Sequence, residues 1–406
     1  MAEAASKDQA HRIPAGVWAL GFVSMLMDLS SEMIHALLPV YLVTVLGTST
    51  LTVGIIEGLA EATASVTKIF SGALSDWLGK RKLLAVLGYG LAAFTKPVFP
   101  LASSVGWLVA ARFVDRVGKG IRGAPRDALL ADIAPPQLRG ASFGLRQSLD
   151  TVGAFLGPLM AIVLMWLLRD DFTAVFWIAV VPAFMSLALI ALAVKEPRRS
   201  SELREVRAPV SKDELRRLGP TYWWVVIIAT VFTLARFSEA FLILRAQSIG
   251  LSITLVPVVL VVMNIVYALA AYPVGVLSDK TDRMTVLLVG FALLIAADGV
   301  LALASNVAGL MCGVVLWGLH MGFTQGLLAT LIADAAPAEL RGTAYGLFNL
   351  LTGVALLAAS MIAGALWDAT GPQGTFAAGA AFTALALGGL LVVNRSLARA
   401  RLQSRP

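Results

Sequence analysis

The chain has 406 residues, 58% hydrophobic and 14% charged, with a formal net charge of +7 and a mean hydropathy of +0.82. A soluble domain carries roughly 25% charged residues, so the composition excludes a water-soluble fold and reads the basic excess as membrane-flanking, with no nucleic-acid partner. The single cysteine, Cys312, excludes an internal disulfide and a cysteine metal site, and its apolar surroundings predict a small buried packing residue.

In chain order, the first fifteen residues are polar. No cleavable leader is apparent, and this segment is expected to be cytoplasmic. Apolar runs of roughly 20 residues, long enough to cross a bilayer as a helix, follow at 16–45, 52–77, 83–102, 105–128, 141–168, 172–194, 221–247, 252–277, 284–303, 306–333, 342–368 and 374–394. The longer runs are expected to tilt or protrude. The expected class is an all-α integral membrane protein of about twelve helices. The one long polar stretch, 195–219, divides the spans six and six. It is read as a cytoplasmic linker between an N-terminal six-helix bundle over 1–194 and a C-terminal one over 220–406 with a short cytoplasmic tail.

Basic residues set the orientation. With the N-terminus cytoplasmic, the inside loops hold Lys80, Arg81 and Lys82, Arg126 and Arg139, Lys280 and Arg283, and Arg341. The linker and tail add many more. The outside loops at 46–51, 103–106, 304–306 and 369–373 hold none. Cytoplasmic loops enriched in Lys and Arg are the expected asymmetry, and they predict a multi-pass protein of a bacterial inner membrane with both termini inside.

The halves repeat each other. Asp132-Ile-Ala-Pro-Pro-Gln-Leu-Arg-Gly140 recurs as Asp334-Ala-Ala-Pro-Ala-Glu-Leu-Arg-Gly342, an offset of 202 residues. Gly72-Ala-Leu-Ser-Asp76 recurs as Gly275-Val-Leu-Ser-Asp279, an offset of 203. Parallel repeats flanking a linker suit alternating access, in which one bundle rocks against the other.

The loop after the second span reads Gly72-Ala-Leu-Ser-Asp76-Trp-Leu-Gly79-Lys80-Arg81-Lys82, with a degenerate copy from Gly275 through Asp279 to Arg283. On these motifs the chain resembles the major facilitator superfamily across nearly its whole length. The residues themselves suggest that Gly72 and Gly79 permit close approach and a tight turn, that Asp76 caps a helix or pairs with an arginine, and that the basic cluster faces anionic headgroups. The resemblance implies that Gly72, Asp76, Gly79, Lys80, Arg81, Gly275, Asp279 and Arg283 belong to a conformational latch. Span 5 carries Gly153-Ala-Phe-Leu-Gly157-Pro158, similar to the antiporter motif of drug exporters, with Ala161 and Ile162 where glycines are usual. Ordinary small-residue packing accounts for the same residues equally well. The resemblance also implies that spans 1, 4, 7 and 10 surround a central cavity.

Deep charges fall on those helices and on span 2. An ionisable group at the bilayer centre is unfavourable and usually faces a cavity or a partner. Asp28, Glu32 and His35 share one face of span 1, and Glu57, Glu61 and Lys68 share one stripe of span 2. Arg112, Asp115 and Arg116 lie on span 4, Arg236 and Glu239 on span 7, and His320 and Gln325 on span 10. Asn264 and Asn349 are further candidates for the substrate cavity. Lys96 and Asp298 are exceptions on spans expected to face lipid. Burial disfavours a charged carboxylate, so Asp28, Glu32, Glu57 and Glu61 are proton-coupling candidates. The competing reading is that they pair permanently with Arg112, Arg116, Lys68 or His35 and only fix packing. The carboxylates with His35 would suit a divalent cation, and Arg112, Arg116 and Arg236 would suit an anion.

No nucleotide-binding Gly-x-x-x-x-Gly-Lys-Ser/Thr loop, no zinc His-Glu-x-x-His motif and no cysteine cluster occurs. The expectation is therefore no enzyme, no cofactor and no resident metal, with a proton gradient as the energy source. The partners expected are a small-molecule or ion substrate and membrane lipids, for a monomer. Export by proton antiport, import of an organic solute by proton symport, and a membrane sensor or scaffold that moves nothing all stay open at this point.

Overall fold

The computed structural model describes residues 13–78, 80–135, 138–196, 217–336 and 340–403. In chain order they form α1 (Ala15–His35), α2 (Leu38–Thr44), α3 (Thr50–Leu78), α4 (Arg81–Thr95), α5 (Val98–Leu101), α6 (Val105–Ile133), α7 (Arg139–Leu167) and α8 (Phe172–Ala193). These are followed by α9 (Pro220–Ala235), α10 (Ala240–Ser248), α11 (Val258–Lys280), α12 (Arg283–Leu303), α13 (Val307–Ala335) and α14 (Arg341–Gln403). Each of the twelve expected spans falls on helix. α14 serves for two of them, because the backbone at Gly371 leaves the helical region at φ 75° and Pro372 follows. Only a residue without a Cβ adopts that φ freely.

Among the described residues, nine segments are long and apolar enough to cross a membrane on composition alone. α3 and α6 fall outside that set because they carry the charges: Glu57, Glu61 and Lys68 on one, and Arg112, Asp115, Arg116, Lys119, Arg122 and Arg126 on the other. The outer faces are apolar. Trp166, Leu192, Leu269, Leu303 and Leu385 are each more than half exposed, as lipid contact requires. Cys312 is on such a face. It is exposed, which corrects the buried packing role expected of it.

The chain divides into two compact units. The first comprises Met1–Leu38 and Thr63–Arg207, and the second Pro39–Ala62 and Ala208–Pro406. The boundary therefore runs through α3, whose first thirteen residues group with the C-terminal helices. Most of the expected linker, residues 197–216, lies outside the described residues. In the first unit α1 packs on α7 and α8, and α4 packs on α6 and α8. In the second, α9 packs on α14, α13 packs on α11 and α12, and α12 packs on α14. The packing of α4 on α6 recurs as α12 on α13, and that of α1 on α7 and α8 recurs as α9 on α14.

Two spans are interrupted at matching places. Span 1 breaks at Ala36–Leu37, where the chain turns on bonds from Ala36 N to Glu32 O and Leu37 N to Ile34 O, just ahead of Pro39. Span 7 breaks at Arg236–Glu239, with Ser238 N donating to Ser360 Oγ at 3.2 Å. Interrupted helices at corresponding positions of two repeats mark where transporters hold their cargo.

Candidate substrate and coupling site

The first break carries three of the predicted residues. Glu32 and His35 close the last turn of α1, with Glu32 Oε2 and His35 Nδ1 at 3.2 Å. Their side chains are 24% and 11% exposed. Asp28 is one turn earlier and half-buried. α7 lies directly behind them. A Cβ on Gly153 would meet Met25 O at 2.5 Å and Asp28 Cβ at 3.1 Å, and a Cβ on Gly157 would fall on Glu32 Cβ. The two glycines of the antiporter-like motif are thus the points where α7 backs onto the two carboxylate positions of α1. Pro158 is buried beside them.

α6 supplies the positive charge. Arg112, Asp115 and Arg116 are 1%, 2% and 3% exposed. Asp115 Oδ1 accepts from Lys96 Nζ at 3.0 Å, and the same Nζ reaches Ser31 Oγ at 2.9 Å. Lys96 was expected on a lipid-facing span, but it is 1% exposed and turned inward. The reason is local: α4 ends at Thr95 ahead of Pro97, and the lysine folds into that gap toward α6. A buried pair of this kind fixes packing and leaves no spare charge for cargo, so Asp115 serves α4 and α1.

One turn further along, the structure adds residues that sequence reasoning missed. The Arg122 guanidinium is 4% exposed and lies over the Tyr89 ring, 4.9 Å from its centroid. Gly88 makes the room, since a Cβ there would sit 2.7 Å from Arg122 N. Arg126, expected in a cytoplasmic loop, lies within α6 and donates to Ser24 Oγ at 3.0 Å and Asp127 Oδ1 at 3.0 Å. Arg146 pairs with Asp150 at 2.5 Å and approaches Asp127 at 3.8 Å. The signal was available, because Arg112, Arg116, Lys119, Arg122 and Arg126 recur at helical spacing. Lys119, exposed on that face, is an electrostatic neighbour of both Asp28 and Glu32. Lys68 is also exposed, with its stem 3.8 Å from where a Cβ on Gly123 would stand.

Glu57 and Glu61 lie on the part of α3 that belongs to the second unit. Glu57 is 1% exposed and Glu61 half-buried. Gly54 and Gly58 bracket Glu57 and press α3 onto α14. A Cβ at Gly58 would be 2.9 Å from Leu357 Cα, and one at Gly54 would fall on Ser360 O. The start of α3 is capped by Asp368, which accepts from Thr50 N and Leu51 N at 3.0 Å each and from the Thr50 hydroxyl.

At the second break Arg236 and Glu239 are half-buried electrostatic neighbours, with Tyr267 also close. His320 is fully buried on α13, 5.3 Å from the Trp317 ring and 6.5 Å from Phe232. Asn264 and Asn349 are half-buried on α11 and α14. Gln325 falls outside the residues whose side chains are described. Asp298, also expected toward lipid, is 0% exposed and directed inward. Among the described residues no three His, Cys, Asp or Glu side chains converge as a metal site would require.

Of the latch residues, Gly72 and Asp76 lie on α3 and Asp279 on α11, but their side chains, and Gly79 entirely, are outside the described set. Gly275 and Lys80 are exposed and Arg283 opens α12. Arg81, expected to face headgroups, is instead 8% exposed and bonds Asp132 Oδ2 at 2.6 Å. The loop motif is thereby tied to the first residue of the repeated Asp132–Gly140 segment. Tyr222 is fully buried and donates to Ala344 O at 2.9 Å.

Comparison with known proteins agrees with this architecture. The sequence profile of the Major Facilitator Superfamily matches residues 20–359 and 237–405. An uncharacterised MFS-type transporter of Methanocaldococcus jannaschii is 33% identical over 93% of this chain and 94% of its own length. The multidrug resistance protein MdtH of Cronobacter sakazakii is 26% identical over 87% of this chain and 86% of its own. Among solved structures, a bacterial homologue of the human lysosomal transporter Spinster superposes with a TM-score of 0.76 at 16% identity, covering 95% of this chain and 97% of that one. At that identity the likeness is one of fold.

Proposed function

Because the chain belongs to the Major Facilitator Superfamily and is a multi-pass membrane transporter, we propose that it exports a small molecule by proton-coupled antiport, through alternating access of its two units. The observation that carries this reading is the placement of Gly153 and Gly157 directly behind Asp28 and Glu32. A glycine-bearing face lets α7 slide or tilt against α1 with little steric resistance, and the two carboxylates exposed to that motion can exchange a proton for a cationic group of the cargo. The likeness to a protein named for multidrug resistance supports the outward direction. Asp28 and Glu32 are assigned the proton, with Glu57 and Glu61 on α3 as further carboxylates of the cycle. His35, Lys68, Lys119, Arg112 and Arg116 are the substrate-side polar residues assigned to the first unit, and Arg236 and Glu239 those assigned to the second. The working arrangement is a monomer in a bacterial inner membrane with both termini cytoplasmic, consistent with the basic residues of the expected inner loops.

Everted membrane vesicles, energised to be acidic inside and read with a pH-sensitive dye, test the proposal. Lipophilic cations, organic anions, divalent metals and sugar phosphates are added in turn. Proton release with one class, abolished by Glu32→Gln or Asp28→Asn, is the expected outcome. Release that survives in all four neutral variants at positions 28, 32, 57 and 61 would show that these carboxylates do not couple.

A further inference from the structure

Lys96 and Asp115 recur 202 residues later as Asp298 and Trp317, the offset that also separates Asp132 from Asp334. In the first unit the two positions form the buried ion pair at 3.0 Å. In the second an acid stands where the lysine was, and an indole stands where the lysine's partner was. Asp298 is 0% exposed, and neither of its carboxyl oxygens has a hydrogen-bond partner among the described residues. Gly379 provides its room, since a Cβ there would meet Asp298 Oδ2 at 2.6 Å and Phe237 Cε1 at 3.1 Å. Phe237 packs in turn against Trp317 at a tilt and against Phe376 edge-on, with centroids 5.5 Å apart in both cases.

The carboxyl is therefore buried beside Gly379 and near the Phe237 ring, at the edge of an aromatic cluster. On the elements packed around α12, His320 is enclosed by Trp317 and Phe232 and has Arg236 as its charged neighbour. Glu239 lies by Arg236, and Asp368 is engaged by Thr50 and Leu51. An ionised carboxylate without a counter-charge or a hydrogen bond is strongly unfavourable in such a place, and an intramembrane acid of this kind is a functional group by default.

We propose that Asp298 is a proton-binding site of the C-terminal unit, held as the neutral acid in the arrangement described and giving up its proton when α12 and α14 part at Gly379. The proton passes to entering water and returns from it as the helices close, so only the O–H bond is broken and remade. This adds a further titrating locus to the proton-coupled reading, in the unit that also holds His320 and the break at Arg236–Glu239.

Infrared spectroscopy of the protein in liposomes tests it without a transported solute. The wild type is expected to show the C=O stretch of a protonated carboxylic acid that survives in Glu32→Gln and is lost in Asp298→Asn. That band should shift on transfer to D2O and fade as the pH of the medium rises. Identical bands in wild type and Asp298→Asn would mean that the side chain is ionised and would overturn the proposal. A band at this residue that neither shifts nor fades would do the same, by showing a permanent packing acid. Asp298→Ser supplies the comparison should the amide variant not fold. Failure of the vesicle assay at Asp28 and Glu32 leaves this result untouched, so the two ideas fall separately.

Discussion

Gly157 stands so close to Glu32 that a single methyl group at position 157 would overlap the Glu32 Cβ. The candidate coupling carboxylate and the antiporter-like motif are one packing unit. Gly157→Leu should therefore force α7 away from α1 and misplace Glu32. Overpacking of this kind costs about 1–3 kcal/mol. The expected outcome is a lowered melting temperature in detergent together with loss of proton-linked transport. Gly144→Ala on the same helix, where a Cβ meets nothing within 4 Å, serves as the control and should leave both unchanged.

The Lys96–Asp115 pair gives a sharper stability test. Removing one partner of a buried pair strands the other, at a cost of about 3–5 kcal/mol. Lys96→Met alone should destabilise strongly. Lys96→Met combined with Asp115→Leu should recover much of that loss, because no unpaired charge remains. Thermal unfolding of the three variants decides it. Equal destabilisation of single and double variants would mean that Asp115 has work beyond the pair.

Asp368 holds the amide groups of Thr50 and Leu51 at the start of α3. Replacing such a cap by alanine costs about 0.5–2 kcal/mol. Asp368→Ala should lower stability by that order and speed hydrogen exchange at residues 50–54. Asp368→Asn should keep most of the hydrogen bonds while losing the charge that favours a helix N-terminus, and it should fall between wild type and alanine.

Cys312 is the chain's one thiol and is exposed on α13. Surface substitutions away from special features usually stay within about 0.5 kcal/mol. Cys312→Ala should match wild type in melting temperature and in transport, and so provide a cysteine-free background for labelling. A large loss would contradict the exposed position.

Much of the fold was legible before any coordinates. Hydropathy alone located the spans, because a bilayer demands roughly 20 apolar residues wherever a helix crosses it. The repeat from Asp132 to Asp334 suggested two related halves, but not that Pro39–Ala62 groups with the C-terminal helices. The sequence did not disclose which way each helix is turned about its own axis or where it bends. Lys96 and Asp298 were assigned to lipid by span number, yet both point inward. Arg126 was counted with the basic residues of an inner loop, yet it lies within α6, bonded to Ser24 and Asp127. Arg81 was assigned to headgroups by its basic neighbours, yet Asp132 claims it.

Sequence alone therefore determined membrane insertion, most of the spans and the internal repeat, all of which are read from local stretches of chain. Tertiary structure alone decided that Gly153 and Gly157 back onto Asp28 and Glu32, that Lys96 neutralises Asp115, and that Asp298 has no such partner among the described residues. These depend on a few tenths of an ångström in helix approach and on the rotation of one helix against the next. Such quantities are set by side-chain packing across residues far apart in sequence.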